Sequence, residues 1–161
     1  MAERKKALRR ALKAPEIVSV PWLTVVRPGR AKRYVVLHDQ VEGFYTHWDP
    51  KVKRTIECVE PKPLCAGCAA KLPYCSKGVI SVQAYMAVQA ELLDIPPECW
   101  VALEVIGKKG SLRGKVIDFQ RETANIRSRL LATFVEEFEH PERLLAALDP
   151  LPTLRKIWGM A

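Results

Sequence analysis

Residues 47 to 75 read HWDPKVKRTIECVEPKPLCAGCAAKLPYC, and they hold four of the chain's five cysteines and one of its three histidines. Two residues separate Cys65 from Cys68, six separate Cys58 from Cys65, and six separate Cys68 from Cys75. A Cys-x-x-Cys pair offers two thiolates to one ion from a tight turn, and ligands from the flanking chain complete a tetrahedron. In the CAGC turn, Gly67 can take the left-handed backbone that such a knuckle often needs. The proline-bearing stretches EPKPL and AAKLPY are suited to folding Cys58 and Cys75 back towards it. So sulfur-rich a set points to a structural Zn2+, and iron in a rubredoxin-like or cluster site takes similar ligands. The first ligand set is Cys58, Cys65, Cys68 and Cys75. The alternative replaces Cys75 with His47, which follows an extended run eleven residues before Cys58. A structural zinc of this kind supplies about 10–16 kcal/mol of binding free energy to folding, so chelation is expected to unfold the 47–75 region.

Other uses of the cysteines fit less well. The opening MAERKKALRRALK has no apolar run behind its basic residues and no stretch has the length of a membrane span, so a soluble, cytoplasmic protein without membrane contact is expected. Disulfides are rare in a reducing compartment, and five cysteines is an odd number. Zinc nucleobase deaminases carry H-x-E followed by P-C-x-x-C, with the glutamate moving protons. Here Asp49 stands where the glutamate would be and Leu64 intervenes between Pro63 and Cys65, in a segment broken by prolines. A deaminase or zinc hydrolase is therefore the least favoured reading. No βαβ pattern surrounds CAGC to make it a redox motif, and no nucleophile–base pair, phosphate loop or dinucleotide loop is evident. The expectation is a protein without catalytic residues. Cys99 opens an apolar run and reads as a small buried hydrophobe.

The elements that must position these residues are short and mostly extended. At 161 residues the chain fits one domain with appended segments. Residues 1–15 read as a basic arm of helix-forming residues that Pro15 is expected to end. From residue 16 the texture changes to EIVSVPWLTVV, KRYVVLHD, EGFYTHW and VKRTIEC, rich in Val, Ile, Thr and aromatic residues and broken by Pro-Gly. GVISVQAYMAVQ alternates in period two, QAELLDIPPE reads as a short helix or connection, and Trp100–Ile106 with Leu112–Phe119 reads as a hairpin about GKKG. NIRSRLLATFVEEF is ambiguous and leans to a strand, PERLLAALDP reads as a helix between prolines, and LPTLRKIWGMA as a last helical piece. The expected architecture is mainly β, a small antiparallel barrel or sandwich spanning 16–136, with the knuckle at 47–75 and a helical segment at 137–161.

A histidine just after a strand (THW), a cysteine about ten residues on (RTIEC) and a CAGC knuckle, all within a small basic β-rich domain, resemble the zinc-containing single-stranded DNA-binding proteins of phage and mobile elements, of which the T-even bacteriophage helix-destabilising protein is the best known. The resemblance covers about residues 16 to 120. It implies an OB-like β-barrel and ligation by His47, Cys58, Cys65 and Cys68, with Cys75 departing from the pattern.

Charge leads to a similar partner by a separate route. Twenty-six Lys and Arg against eighteen Asp and Glu give a net charge of +8, which favours polyanions. Basic residues cluster near residues 4–13, 27–33, 51–54 and 108–115, whereas Glu136, Glu137, Glu139 and Glu142 make the 136–142 stretch acidic. Binding single strands without regard to sequence takes a cationic groove and aromatic faces on which bases stack, each stack worth about 1–3 kcal/mol. The candidate contacts are Arg30, Lys32, Arg33, Tyr34, Tyr45, Trp48, Lys51, Lys53, Arg54 and Arg113, with Trp22 and Trp100 assigned to the core. The expected partner is single-stranded DNA, RNA being the variant, in support of replication or recombination. The alternative is a zinc-knuckle adaptor that docks a protein through the C-terminal segment carrying Trp158.

Overall fold

The computed structural model describes residues 23–59, 62–85, 87–108 and 110–157. The basic arm, Trp22 and Trp158 lie outside the described residues. The chain is mainly β, as its texture suggested. Eight strands form one sheet: β1 Leu23–Thr24, β2 Lys32–Val36, β3 Glu42–Asp49, β4 Arg54–Glu57, β5 Tyr74–Ala84, β6 Ala90–Ile95, β7 Lys115–Arg121 and β8 Leu130–Glu137. The order is β1-β6-β5-β2-β7-β8, with β3 paired to β5 and β4 paired to β3. All neighbours are antiparallel except β1 and β6. Among the described residues β1 and β8 do not pair with each other, so the expected OB-like barrel is not closed.

Helical structure is brief. A 3-10 turn at Lys62–Leu64 leads into α1, Ala66–Ala69, and two longer helices follow, α2 at Pro97–Gly107 and α3 at Pro150–Ile157. The first half of the expected hairpin at 100–119 is in fact α2. Pro97 occupies the first helical position, where its missing N–H costs nothing, and Cys99 and Leu103, four apart, are fully buried. Conversely, the stretch expected as helix or connection at 90–95 is the strand β6. Its adjacent Leu92 and Leu93 are both fully buried because they face different cores.

The larger core lies under α2. Tyr34 and Val36 of β2, Ile80 and Val82 of β5, Ile117 and Phe119 of β7 and Leu93 of β6 meet Cys99 and Leu103 there. Trp100 of the same helix lies against the backbone of Gly43 and Gly78, where a Cβ would collide with the indole. The smaller core, on the opposite face, gathers Val79, Leu92 and Leu154 with Phe44, Leu148 and Ile157. Arg155 of α3 forks onto the Glu57 carboxylate of β4 at 2.8 and 3.1 Å. The apolar face of α3 is thereby spent on the fold.

The helix expected at 141–149 shrinks to a 3-10 turn at Pro141–Arg143, because the sheet claims the backbone that follows. Leu145 N–H donates to Gln83 Oε1 and Leu148 N–H to Ser81 Oγ, both at 3.0 Å. His38 Nδ1 accepts from Ser81 N–H at 2.8 Å, so its Nε2 carries the proton and donates to Leu148 O at 2.9 Å. These bonds satisfy main-chain groups that a helix would otherwise have used.

Candidate metal centre and its aromatic surface

The β3–β4 hairpin extends beyond the main body of the sheet and carries both ends of the site. Alternation along a strand puts Tyr45 and His47 on one face and Thr46 and Trp48 on the other. Opposite them on β5, His47 pairs with Tyr74, Thr46 with Cys75 and Tyr45 with Ser76. His47 and Cys75 therefore occupy opposite faces of the same ribbon. Cys75 is exposed, and the four donor atoms that converge belong to His47, Cys58, Cys65 and Cys68, all within 4.8 Å of one another. The four-cysteine set is corrected on this point: strand parity excludes Cys75 and admits His47.

The spacing of the donors suits a four-coordinate ion. Cys58 Sγ lies 3.7 Å from Cys68 Sγ, and His47 Nε2 lies 3.5 Å from Cys65 Sγ and 3.4 Å from Cys68 Sγ. Zinc bonds of about 2.3 Å to sulfur and about 2.0 Å to nitrogen require tetrahedral edges of about 3.8 Å and about 3.5 Å. Three sulfurs and one imidazole at these separations could hold a zinc ion.

Local backbone geometry explains how the ligands arrive. Cys58 N–H donates to Tyr45 O at 2.9 Å, which ends β4 beside the ligand strand. Cys65 precedes α1, whose single turn closes with Ala69 N–H on Cys65 O at 3.0 Å, and Lys71, at φ 52, reverses the chain towards β5. Leu72 N–H then returns to Gly67 O at 3.0 Å, and Leu72 O sits 3.3 Å from His47 Nδ1. A proton on Nδ1 donated to that carbonyl leaves Nε2 free as the ligand atom, the arrangement that orients most metal-binding histidines. Gly67 lies directly against the His47 ring, so the knuckle admits no side chain there.

The thiols differ before any ion arrives. Burial would raise Cys65, but hydrogen bonds from the N–H groups of Cys68 and Val59, the Cys68 thiol and Gly67 N–H outweigh it and bring it down to about 6. Burial, with hydrogen bonds to Cys68 and Cys65, pushes Cys58 up to about 12. Buried Cys99 is likewise pushed up to about 12 by burial and then by Glu98, as suits an inert core residue.

The expected contact residues divide among several places. Tyr45 and Trp48 are 56% and 44% exposed on the two faces of the hairpin, and Lys51, Lys53 and Arg54 are exposed at its turn. Among the described residues none of these three cations has an ion-pair partner. Arg30 and Lys32 are exposed where the chain enters β2. Arg33 is held by Asp118 at 2.8 and 2.9 Å and lies 6.0 Å from the Tyr85 ring centre, a structural role. Tyr34 is corrected to the core. It alternates with Arg33 to the inner face, packs edge-on to Phe119 at 6.0 Å, and burial followed by Glu91 raises its hydroxyl to about 12. Arg113 is also corrected to a structural role, since its guanidinium donates to Leu37 O at 2.7 Å and Leu145 O at 3.1 Å. Tyr74 was missed: 50% exposed, it stacks on Tyr45 at 5.1 Å and 18° and meets the His47 ring edge-on at 5.5 Å. Its only sequence signal was its place inside the cysteine loop, beside Cys75.

Fold and site together define a mainly β protein carrying a His/Cys3 cluster suited to a metal ion. Comparison with protein-family models, curated proteins and solved structures finds no match to the chain. No helix among the described residues is long and apolar enough to cross a membrane.

Proposed function

We propose that this chain is a zinc-stabilised protein that binds single-stranded nucleic acid, DNA before RNA, without sequence preference and without catalysis, in the service of replication or recombination. The supporting observation is the surface on the ligand hairpin. Tyr45 and Tyr74 stack on one face, Trp48 stands on the other, and Lys51, Lys53 and Arg54 close the end. Flat exposed rings beside uncompensated cations are what bases and phosphates require of a single-strand site. The metal would tie β3, β4 and α1 together and so hold this surface in shape, while four protein ligands leave it no open position for a substrate. An adaptor role through the C-terminal helix gains no support from α3, whose Leu154 and Ile157 pack on the sheet. Fluorescence polarisation with a labelled oligothymidylate tests the proposal. Binding is expected at about 50 mM salt and should weaken steeply as salt rises. Tyr45→Ala should cost about 1–3 kcal/mol of that binding. A chain that ignores the oligonucleotide at low salt would refute the reading.

A further inference from the structure

A second cationic site lies apart from the metal centre, in the connection from β1 to β2. This connection borders a cavity of about 300 Å³ whose floor is Val26 and Tyr34 and whose rim carries Arg27, Arg30 and Lys32, with Pro28 between them. The rim is held from below. Buried Arg121 donates through Nε to Val26 O at 2.9 Å, and Gln120 Nε2 donates to Gly29 O at 3.2 Å. Gly29, at φ 129, makes the reversal between Arg27 and Arg30 in a backbone region that other residues rarely adopt. Arg121 and Gln120 end β7, so the turn is braced by the sheet and presents its side chains from a fixed base.

Among the described residues none of the three rim cations has a hydrogen-bond or ion-pair partner, in contrast to Arg33, Lys77, Lys115 and Arg155, each matched to a carboxylate. Glu91 is engaged by the hydroxyl of Tyr34, a floor residue. Three cations around one concavity, unmatched by any counter-charge among the described residues, raise the local potential and favour an anion with several oxygen acceptors. At about 300 Å³ the cavity is at the small end of the range for ligand sites.

We infer that the Arg27–Lys32 turn is a phosphate-binding site that takes the sugar-phosphate backbone of the strand, giving it a point of attachment separate from the aromatic hairpin. This rests on the proposed single-strand binding for its ligand, but not for its chemistry, because the same pocket would take inorganic pyrophosphate. The turn supplies charge and the hairpin supplies stacking, so the two should contribute differently to binding.

The test compares the parent chain with Arg27→Ala/Arg30→Ala, Tyr45→Ala and, as a control, Lys156→Ala on the exposed side of α3. Oligothymidylate affinity is measured across a salt series, and inorganic pyrophosphate binding is measured by titration calorimetry. Each phosphate contact on a single strand contributes about 0.7 to the slope of log affinity against log salt, so the double variant should lose about 1.4 of it and bind about tenfold more weakly near 0.15 M. Tyr45→Ala should bind more weakly with its slope kept, and Lys156→Ala should match the parent. Pyrophosphate should bind the parent and not the double variant. An unchanged slope in the double variant, or an equal loss in Lys156→Ala, would overturn the site while leaving single-strand binding in place. Where the parent ignores the oligonucleotide, single-strand binding falls, and the pyrophosphate titration alone decides the site: binding lost in the double variant upholds it, and no binding by the parent rejects it.

Discussion

Replacing Gly67 with alanine adds one methyl group where the knuckle meets the ligand strand. The new Cβ would lie 2.6 Å from His47 Cγ, and closer still to Cδ2, where ordinary contact begins near 3.4 Å. The ring has little room to retreat, since Tyr74 lies edge-on to it at 5.5 Å and Leu72 O holds its Nδ1 side. Relief must come from tilting the imidazole or lifting α1, and either moves Nε2 away from the three sulfurs. Disturbing the groups that orient a ligand histidine typically costs about 10–100-fold in metal affinity. That is about 1.4–2.8 kcal/mol, since each tenfold step is worth about 1.4 kcal/mol. Competition for zinc against a chromophoric chelator gives the affinity, and the absorption of the cobalt-substituted protein reports the ligand field. Ala69→Ser, on the exposed side of α1, serves as the control and should bind like the parent. A Gly67→Ala chain that binds zinc as tightly as the parent, with the same cobalt spectrum, would refute the packing of knuckle on histidine as the source of the ligand geometry.

Metal uptake should also depend on pH with a definite sign. Ligation needs thiolates, so binding releases protons and affinity falls as pH falls. Cys58, raised to about 12, still holds its proton at neutral pH and must give it up on binding, whereas Cys65, lowered to about 6, competes with protons only below that pH. Affinity should therefore drop at least tenfold per pH unit as pH falls, from the Cys58 proton alone, and more steeply below about pH 6, as chelator competition at a series of pH values would show. Cys75→Ser should leave zinc stoichiometry and affinity unchanged while Cys58→Ser weakens them, read in the same competition assay. In the core under α2, Leu103→Ala should cost about 2–5 kcal/mol in urea unfolding. Val101→Ala, on the exposed side of the same helix, should stay within about 0.5 kcal/mol.

The knuckle was legible because Cys65 and Cys68 meet their ion within one turn of chain, so their spacing alone carries the geometry. The fourth ligand was not, because the choice between His47 and Cys75 is made by which face of a paired ribbon each residue takes, and that depends on the register of β3 against β5. Alternation located β5 and β8, although residues 78–83 of β5 are buried on both faces, but it misread α2 and β6. WVALEVI has the β-branched texture of a strand, and only its partners show that Cys99 and Leu103 share a helical face. ELLDI lacks alternation because Leu92 and Leu93 serve two cores on opposite sides of one strand. At 144–148 a good local helix former yields to Ser81, Gln83, His38 and Arg113, whose hydrogen bonds come from far away in sequence. Among the candidate contacts, Tyr34 and Arg33 show the same limit, since one step along a strand separates core from surface.

X-ray absorption at the zinc edge of the metal-loaded chain would test the His47, Cys58, Cys65 and Cys68 site most directly. Three sulfurs at about 2.3 Å and one nitrogen at about 2.0–2.1 Å are predicted. Four sulfurs, which would bring Cys75 in and put His47 out, or a shell containing solvent oxygen, would contradict it.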